Sequence, residues 1–272
     1  MKSKNKWLSA PYILWSAVFI IVPLGMILYY GLTDQTGSFT LDNITAIASA
    51  GHAKALRVSL LLSLVSTLVC FLLAYPLAMI LASVQVKRHN FIILVFILPM
   101  WMNFLLRTLA WQTLLEKNGV INHVLSFLHL PALRIINTPA AIILGMVYNF
   151  LPFMVLPLYN ALSKIDTNVI NAARDLGANH VHTFIRIILP LSIPGIISGI
   201  TMVFIPALTT FVISSLLGGG KLLLIGDVIE QEFTRTSNWH LGSGLSMILM
   251  VFILVNMVLS AIFDKDGEGS ML

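Results

Sequence analysis

The sequence predicts an all-α integral membrane protein with six transmembrane helices, and three observations predict it. Of its 272 residues, 58% are hydrophobic and only 10% charged, where a soluble domain carries about a quarter charged residues. Six apolar runs each approach the ~20 residues that a helix needs to cross ~30 Å of hydrocarbon. Basic residues gather in alternate short loops, the pattern that orients membrane proteins. Mean hydropathy is +0.93.

The six candidate spans are residues 11–31, 58–82, 91–115, 139–162, 190–215 and 244–263. The first has a basic start but is about 20 residues long, with no clear small-residue cleavage site, so it reads as a retained helix and not a signal peptide. The third is interrupted by Arg107, which follows a 16-residue apolar run. That places Arg107 near the far interface, where it can snorkel or bond free carbonyls near Pro99. Proline recurs within the spans, at positions 23, 76, 99, 152, 157, 194 and 206. Each bend there frees backbone groups that neighbouring helices or water must satisfy.

Short-loop charge sets the orientation. Lys2, Lys4 and Lys6 precede the first span; Lys87 and Arg88 separate the second from the third; Lys164, Arg174 and Arg186 separate the fourth from the fifth. All three segments fall on one side, which the positive-inside rule makes cytoplasmic, together with both termini. Lys54, Arg57, Lys117, Arg134, Lys221 and Arg235 lie on the other side, in longer loops offset by Asp34, Asp42, Glu116, Asp227, Glu230 and Glu232. The net charge of +5 therefore speaks for membrane orientation and not for nucleic acid. The single cysteine, Cys70, leaves no intrachain disulfide and no thiolate metal cluster.

One polar stretch stands apart. "NAARDLGANHVHTFIRIILP", residues 171–190, lies between the fourth and fifth spans. Asp166 or Thr167 can cap a helix that runs through "NVINAARDL". Gly177 fits the position after its end, where positive φ is cheap for glycine. A second short helix can start near Asn179 and run into the fifth span. The result is a helix–glycine–helix elbow along the membrane surface. Ala172 and Ala173 admit a close backbone, and Arg174, Asp175 and Arg186 supply polar edges. This is a docking surface.

The elbow resembles the EAA loop of binding-protein-dependent ABC importers, E-A-A-x3-G-x9-I-x-L-P. Ala172, Ala173, Gly177, Ile187, Leu189 and Pro190 stand at the required positions, and Asn171 replaces the leading glutamate. In that family the loop, here about residues 164–189, is the coupling helix that inserts into a cleft of a cytoplasmic ATPase. The departure at Asn171 affects the family's charged contact, not the docking geometry. "LPMWMNFLLRTLAW", "LPFMVLPLYNAL", "TFIRIILPLSIPGIISG" and "LGGGKLLLIGDVIEQEF" are similar to the spermidine/putrescine permeases of the PotB type. The likeness extends over essentially the whole chain, most closely from about Leu56 to Phe263.

The resemblance implies a type I ABC importer permease fold. It divides the chain into an N-terminal segment with the first helix (1–55), a five-helix transmembrane domain (56–263) and a cytoplasmic tail (264–272). It implies a bacterial inner-membrane location, with a PotA-type ATPase dimer, a PotC-type second permease and a PotD-type extracytoplasmic polyamine receptor as partners. ATP would be bound by the ATPase, and this chain would hold no cofactor and catalyse no covalent chemistry. A polyamine's ammonium groups are costly to dehydrate, and the core of the spans has no carboxylate. Aromatic faces remain, with Phe211 as the first translocation-path candidate and Trp101 as the second.

Other motifs are set aside. "GGGK", residues 218–221, would need glycine at position 215 and Ser or Thr at 222 to be a phosphate-binding loop; Ser215 and Leu222 stand there. His180 and His182 at i,i+2 point two ways on a helix, and His123 and His129 are six apart, so neither pair makes a metal site. Asn149 and Asn256 lie inside spans, where buried amides bond between helices for less than about 2 kcal/mol. Trp111 and Tyr148 read as packing or interface anchors. A permease of the same architecture could carry another small solute, whereas a stand-alone secondary transporter would instead show internal repeats and intramembrane carboxylates.

Overall fold

The computed structural model describes residues 10–83 and 98–269. Lys2, Lys4, Lys6, Lys87 and Arg88 lie outside the described residues, as does the beginning of the third candidate span. Among the described residues the chain is helical, with one isolated bridge between Thr33 and Phe39.

Among the described residues, four helices are long and apolar enough to cross a membrane: Pro11–Gly31 (α1), Ala50–Ala82 within the helix Ala50–Ser83 (α2), Pro139–Leu162 (the later α5) and Trp239–Val258 within Trp239–Gly269 (the later α11). A bent pair, His180–Leu191 and Ile193–Thr209 with 63° between them, makes a fifth candidate when the two are counted as one span. The described part of the third candidate is a 3₁₀ turn at Leu98–Trp101 and the helix Phe104–Leu115 (α3). Asn103 caps α3, its side chain accepting from the amides of Leu105 and Leu106. Gly119 then leads into the short helix Val120–Phe127 (α4).

The chain falls into two compact units. One comprises the residues up to Lys54 with Val228–Phe252; the other comprises Ala55–Asp227 with the residues from Ile253 on. In the first unit, the turn that follows α1 is held by polar contacts to a backbone carbonyl. The Asn43 amide donates to Thr33 O at 2.9 Å, and His240 Nδ1 lies 2.7 Å from the same oxygen. A carbonyl only accepts, so Nδ1 carries the ring proton. Gly31 is buried against Met247 and the amide of Gly244, an approach that a side chain would block. In the following loop, Asp34 Oδ1 accepts from the Thr36 hydroxyl and the amides of Thr36 and Ser38. The Thr36 hydroxyl, foremost, holds the Asp34 carboxyl below its ordinary range.

The second unit is built around α5. Its neighbours are α2, the helix Ile193–Thr209 (the later α8) and the short helix Val212–Leu217 (the later α9). Ser59, Ser63 and Ser66 are fully buried on α2. The Ser63 hydroxyl donates to the carbonyl of Ser59, and that of Ser66 to Met146 Sδ on α5. Such hydroxyls satisfy themselves inside apolar surroundings by bonding back one turn. Gly195 and Gly199 of Ile193–Thr209 face Pro157, Ala161 and Met154 of α5, a spacing of small residues that lets membrane helices approach closely.

Three expectations are corrected. The fifth span does not run to Ser215: its helix stops at Thr209, Thr210 turns extended (ψ 141°), and Val212–Leu217 is a separate helix packed on α3 and α5. Arg107 does not snorkel. It is buried at 8% exposure, with its guanidinium 5.9 Å from the Phe104 ring centre and 5.8 Å from that of Tyr148. Two ring faces provide a cation site inside the bundle, each worth about 0.5–2 kcal/mol. Asn149 does not bond between helices through its amide group; Nδ2 donates to Gly145 O, one turn back on α5, at 2.8 Å. A side-chain amide reaches its own i−4 carbonyl without any neighbour. Trp111 and Tyr148 pack as expected, edge to face at 5.1 Å.

Candidate functional site

The elbow forms as the polar stretch predicts, and each turn has a local cause. After α5 ends at Leu162, Asp166 caps the helix Thr167–Asp175 (α6), its carboxylate accepting from the amide of Asn168 at 2.9 Å. Such a cap is worth about 1 kcal/mol. The helix ends in a Schellman turn. Ala178 N donates to Ala173 O at 3.0 Å and Gly177 N to Arg174 O at 2.9 Å, with Gly177 at φ +83°. Both bonds require a left-handed residue at position 177, which glycine adopts without a Cβ clash.

Asn179 then caps His180–Leu191 (α7), accepting from the amide of His182 at 2.8 Å. The middle of α7, Phe184–Ile188, is a π turn in which the amide of Leu189 reaches Phe184 O. Pro190 explains the widening: it has no N–H to give, and its ring would strike the carbonyl of Arg186. At Ser192 the chain bends by 63° into Ile193–Thr209 (α8). Phe184, Ile188 and Leu189 root the elbow in the core of the second unit.

Outside that root the elbow is uncovered. Leu176, at the turn, is 89% exposed, and Val169, Val181 and Ile185 are exposed as well. Asn171, Ala172, Arg174, Asp175, Gly177, Arg186 and Pro190 are exposed, while Ala173 and Ile187 are half-buried. A Cβ at Gly177 would meet nothing within 4 Å. Apolar tips ringed by charges suit a partner's cleft better than water. Beneath the elbow lies a cleft of about 460 Å³ whose walls include Met79, Leu162, Asn171, Arg174, His180 and Phe184. His182 turns the other way, its Nδ1 against Asn179 Oδ1 at 2.9 Å, so the two histidines diverge as their spacing predicts. Among the described residues no cluster of His, Cys, Asp or Glu could hold a metal ion.

The two aromatic candidates are not brought together with the elbow. Phe211 sits at the break after α8, immediately before Val212–Leu217 (α9), and is 43% exposed. Trp101 ends the 3₁₀ turn before α3 and is 78% exposed. Neither lines the cleft beneath the elbow. Sequence reasoning missed Tyr75 and Ser192: their hydroxyls meet at 2.8 Å, buried at the bend between α7 and α8. They are 117 residues apart, and nothing in either apolar run announces the pair.

The chain matches, over residues 2–265, the family described as binding-protein-dependent transport system inner membrane component. It is 40% identical over 266 residues to the spermidine/putrescine transport system permease protein PotB of Escherichia coli, covering 93% of this chain and 97% of that protein. The corresponding protein of Haemophilus influenzae is 38% identical over 248 residues, covering 88% and 86%. Among solved structures, a bacterial alginate ABC transporter in complex with its alginate pentasaccharide-bound periplasmic protein superimposes with a TM-score of 0.79. It covers 94% of this chain and 93% of that one at 19% identity. The MetNI methionine ABC transporter in an inward-facing conformation superimposes at 0.56, covering 79% of this chain at 17% identity. These likenesses establish the ABC permease fold, and the sequence match establishes the family: the chain is a binding-protein-dependent transport system inner membrane component.

Proposed function

We propose that this chain is the permease subunit of an ATP-driven importer that carries the polyamines spermidine and putrescine across the bacterial inner membrane. The observation that carries the reading is the preformed elbow at Gly177, in a chain 40% identical over nearly all its length to a protein named for that transport. The reading takes the segment that begins before Leu98 as a sixth span and places the elbow and both termini in the cytoplasm. A PotC-type permease completes the channel, a PotA-type ATPase pair binds ATP, and a PotD-type receptor delivers cargo outside.

The elbow's chemistry supports the role. Leu176, Val181 and Ile185 offer apolar area, Arg174 and Arg186 offer charge, and Asn171 in place of the family glutamate leaves a neutral contact. ATP binding closes the ATPase pair, draws the two permeases' elbows together, and opens the bundle toward the receptor; hydrolysis and release reverse the motion. Phe211 and Trp101 contribute ring faces to the path, weak enough to release an ammonium cargo.

The test is reconstitution of the four-component complex in proteoliposomes, with labelled spermidine, putrescine and a non-amine solute. Receptor- and ATP-dependent uptake of either polyamine is expected. Uptake of the non-amine alone would replace the substrate class. Purification of the chain without any ATPase would remove the importer reading itself.

A further inference from the structure

The bend between α7 and α8 has few backbone bonds to stiffen it, because Pro190 and Pro194 on either side carry no N–H. The Ser192 amide reaches both Ile188 O at 3.0 Å and Leu189 O at 3.2 Å. A side chain from another helix adds to these bonds. The Ser192 residue is fully buried, and its Oγ lies 2.9 Å from Leu189 O and 2.8 Å from the Tyr75 hydroxyl. A serine hydroxyl has one proton. Leu189 O can only accept, so Ser192 gives its proton there, and Tyr75 donates to Ser192.

The same tyrosine grips the other arm of the bend. Its ring meets Phe184, in the π turn of α7, edge to face at 5.7 Å and 88°. Phe71, one turn back on α2, backs it at 5.5 Å. Tyr75 therefore touches the elbow through its ring and the hinge through its hydroxyl, from a position 6% exposed on α2. A bend held at one arm and at its hinge residue by one side chain is tied to the helix that carries that side chain.

We infer that Tyr75 is the positioning residue that links the elbow to the second transmembrane helix, so that displacement of the elbow moves α2 and α8 together. The inference rests on the coupling role proposed for the elbow. Loss of the hydroxyl leaves the ring contacts with Phe184 and Phe71, and so leaves the fold, but lets the angle between α7 and α8 relax independently of α2. The elbow still receives the ATPase stroke; the bundle follows it less completely.

The experiment compares cargo transported per ATP hydrolysed by the complete reconstituted complex, with wild-type chain, Tyr75→Phe, Ser192→Ala and the double variant. Each single variant is expected to lower that ratio roughly two- to tenfold, the factor corresponding to one net hydrogen bond, with assembly and hydrolysis retained. The double variant is expected to lower it no further than Ser192→Ala alone, since that change already removes the bond to Tyr75 together with the one to Leu189 O. An unchanged ratio in Tyr75→Phe, or additive losses in the double variant, overturns the inference. A purely structural role would reduce yield and thermal stability while leaving transport per ATP as in wild type, and that result also overturns it. Failure of the elbow reading is separately visible, as normal transport by a Gly177→Asp complex.

Discussion

The backbone amide of Ile225 donates to the hydroxyl of Ser59 across 2.7 Å, tying α2 to the start of the helix Ile225–Thr234 (α10), 166 residues later. Both residues are fully buried, and the neighbouring amide of Leu224 is taken by Asp227 Oδ2 at 2.8 Å. Ser59→Ala strands the Ile225 amide with no water to replace the lost partner. The expected cost is about 1–3 kcal/mol, read as a lower midpoint of thermal unfolding in detergent. A midpoint equal to wild type would show that the bond contributes nothing.

Topology is the second prediction. Single cysteines at Lys87 and Asn171 should be protected from an impermeant thiol reagent in intact cells, whereas those at Lys117 and Lys221 should react. Cys70 is fully buried, so its removal clears the background at little risk to the surface. Labelling of position 171 from outside would invert the orientation.

Gly177→Asp should give a folded, inserted chain that recovers much less ATPase on purification and loses most uptake. The open space around position 177 protects the fold. The cost, about 1–2 kcal/mol for a left-handed non-glycine residue, falls on the turn alone. Asn171→Glu should be tolerated, because that side chain is exposed and glutamate is the residue the loop pattern carries there. Full uptake by Gly177→Asp would remove the docking role.

For the path, Phe211→Leu and Trp101→Leu keep apolar bulk and discard the ring face. Polyamine uptake should fall with assembly intact, by a factor of roughly 2–30, the equivalent of one or two cation–π contacts. Unchanged uptake kinetics in both variants would move the cation contacts to the partner permease.

Features with a local cause were legible from the residues alone. Asp166, Gly177 and Asn179 act within four residues of themselves, so caps and turn follow from residue type and spacing. Four of the candidate spans were legible in their existence more than in their ends. α2 begins at Ala50 and α11 at Trp239, each several residues before the apolar run starts, because helix hydrogen bonds continue into polar residues. The stop at Thr209 was hidden, since apolar side chains continue through it and only the backbone turns. The burial of Arg107 was hidden for a different reason: Tyr148, whose ring lies beside its guanidinium, is brought there by tertiary packing. The Tyr75–Ser192 pair is of the same kind, with no pattern in either helix to connect them.

The Schellman turn at Gly177 has a kinetic consequence. Its two hydrogen bonds and its left-handed glycine lie within one short segment, so the elbow holds its shape before any partner arrives. A preformed knob loses little conformational freedom on docking, and more of its contact energy remains as affinity. Under the docking role proposed for the elbow, binding of the ATPase follows the rate of encounter and not the rate of folding. Repeated engagement and release during a transport cycle can proceed without the elbow being rebuilt each time.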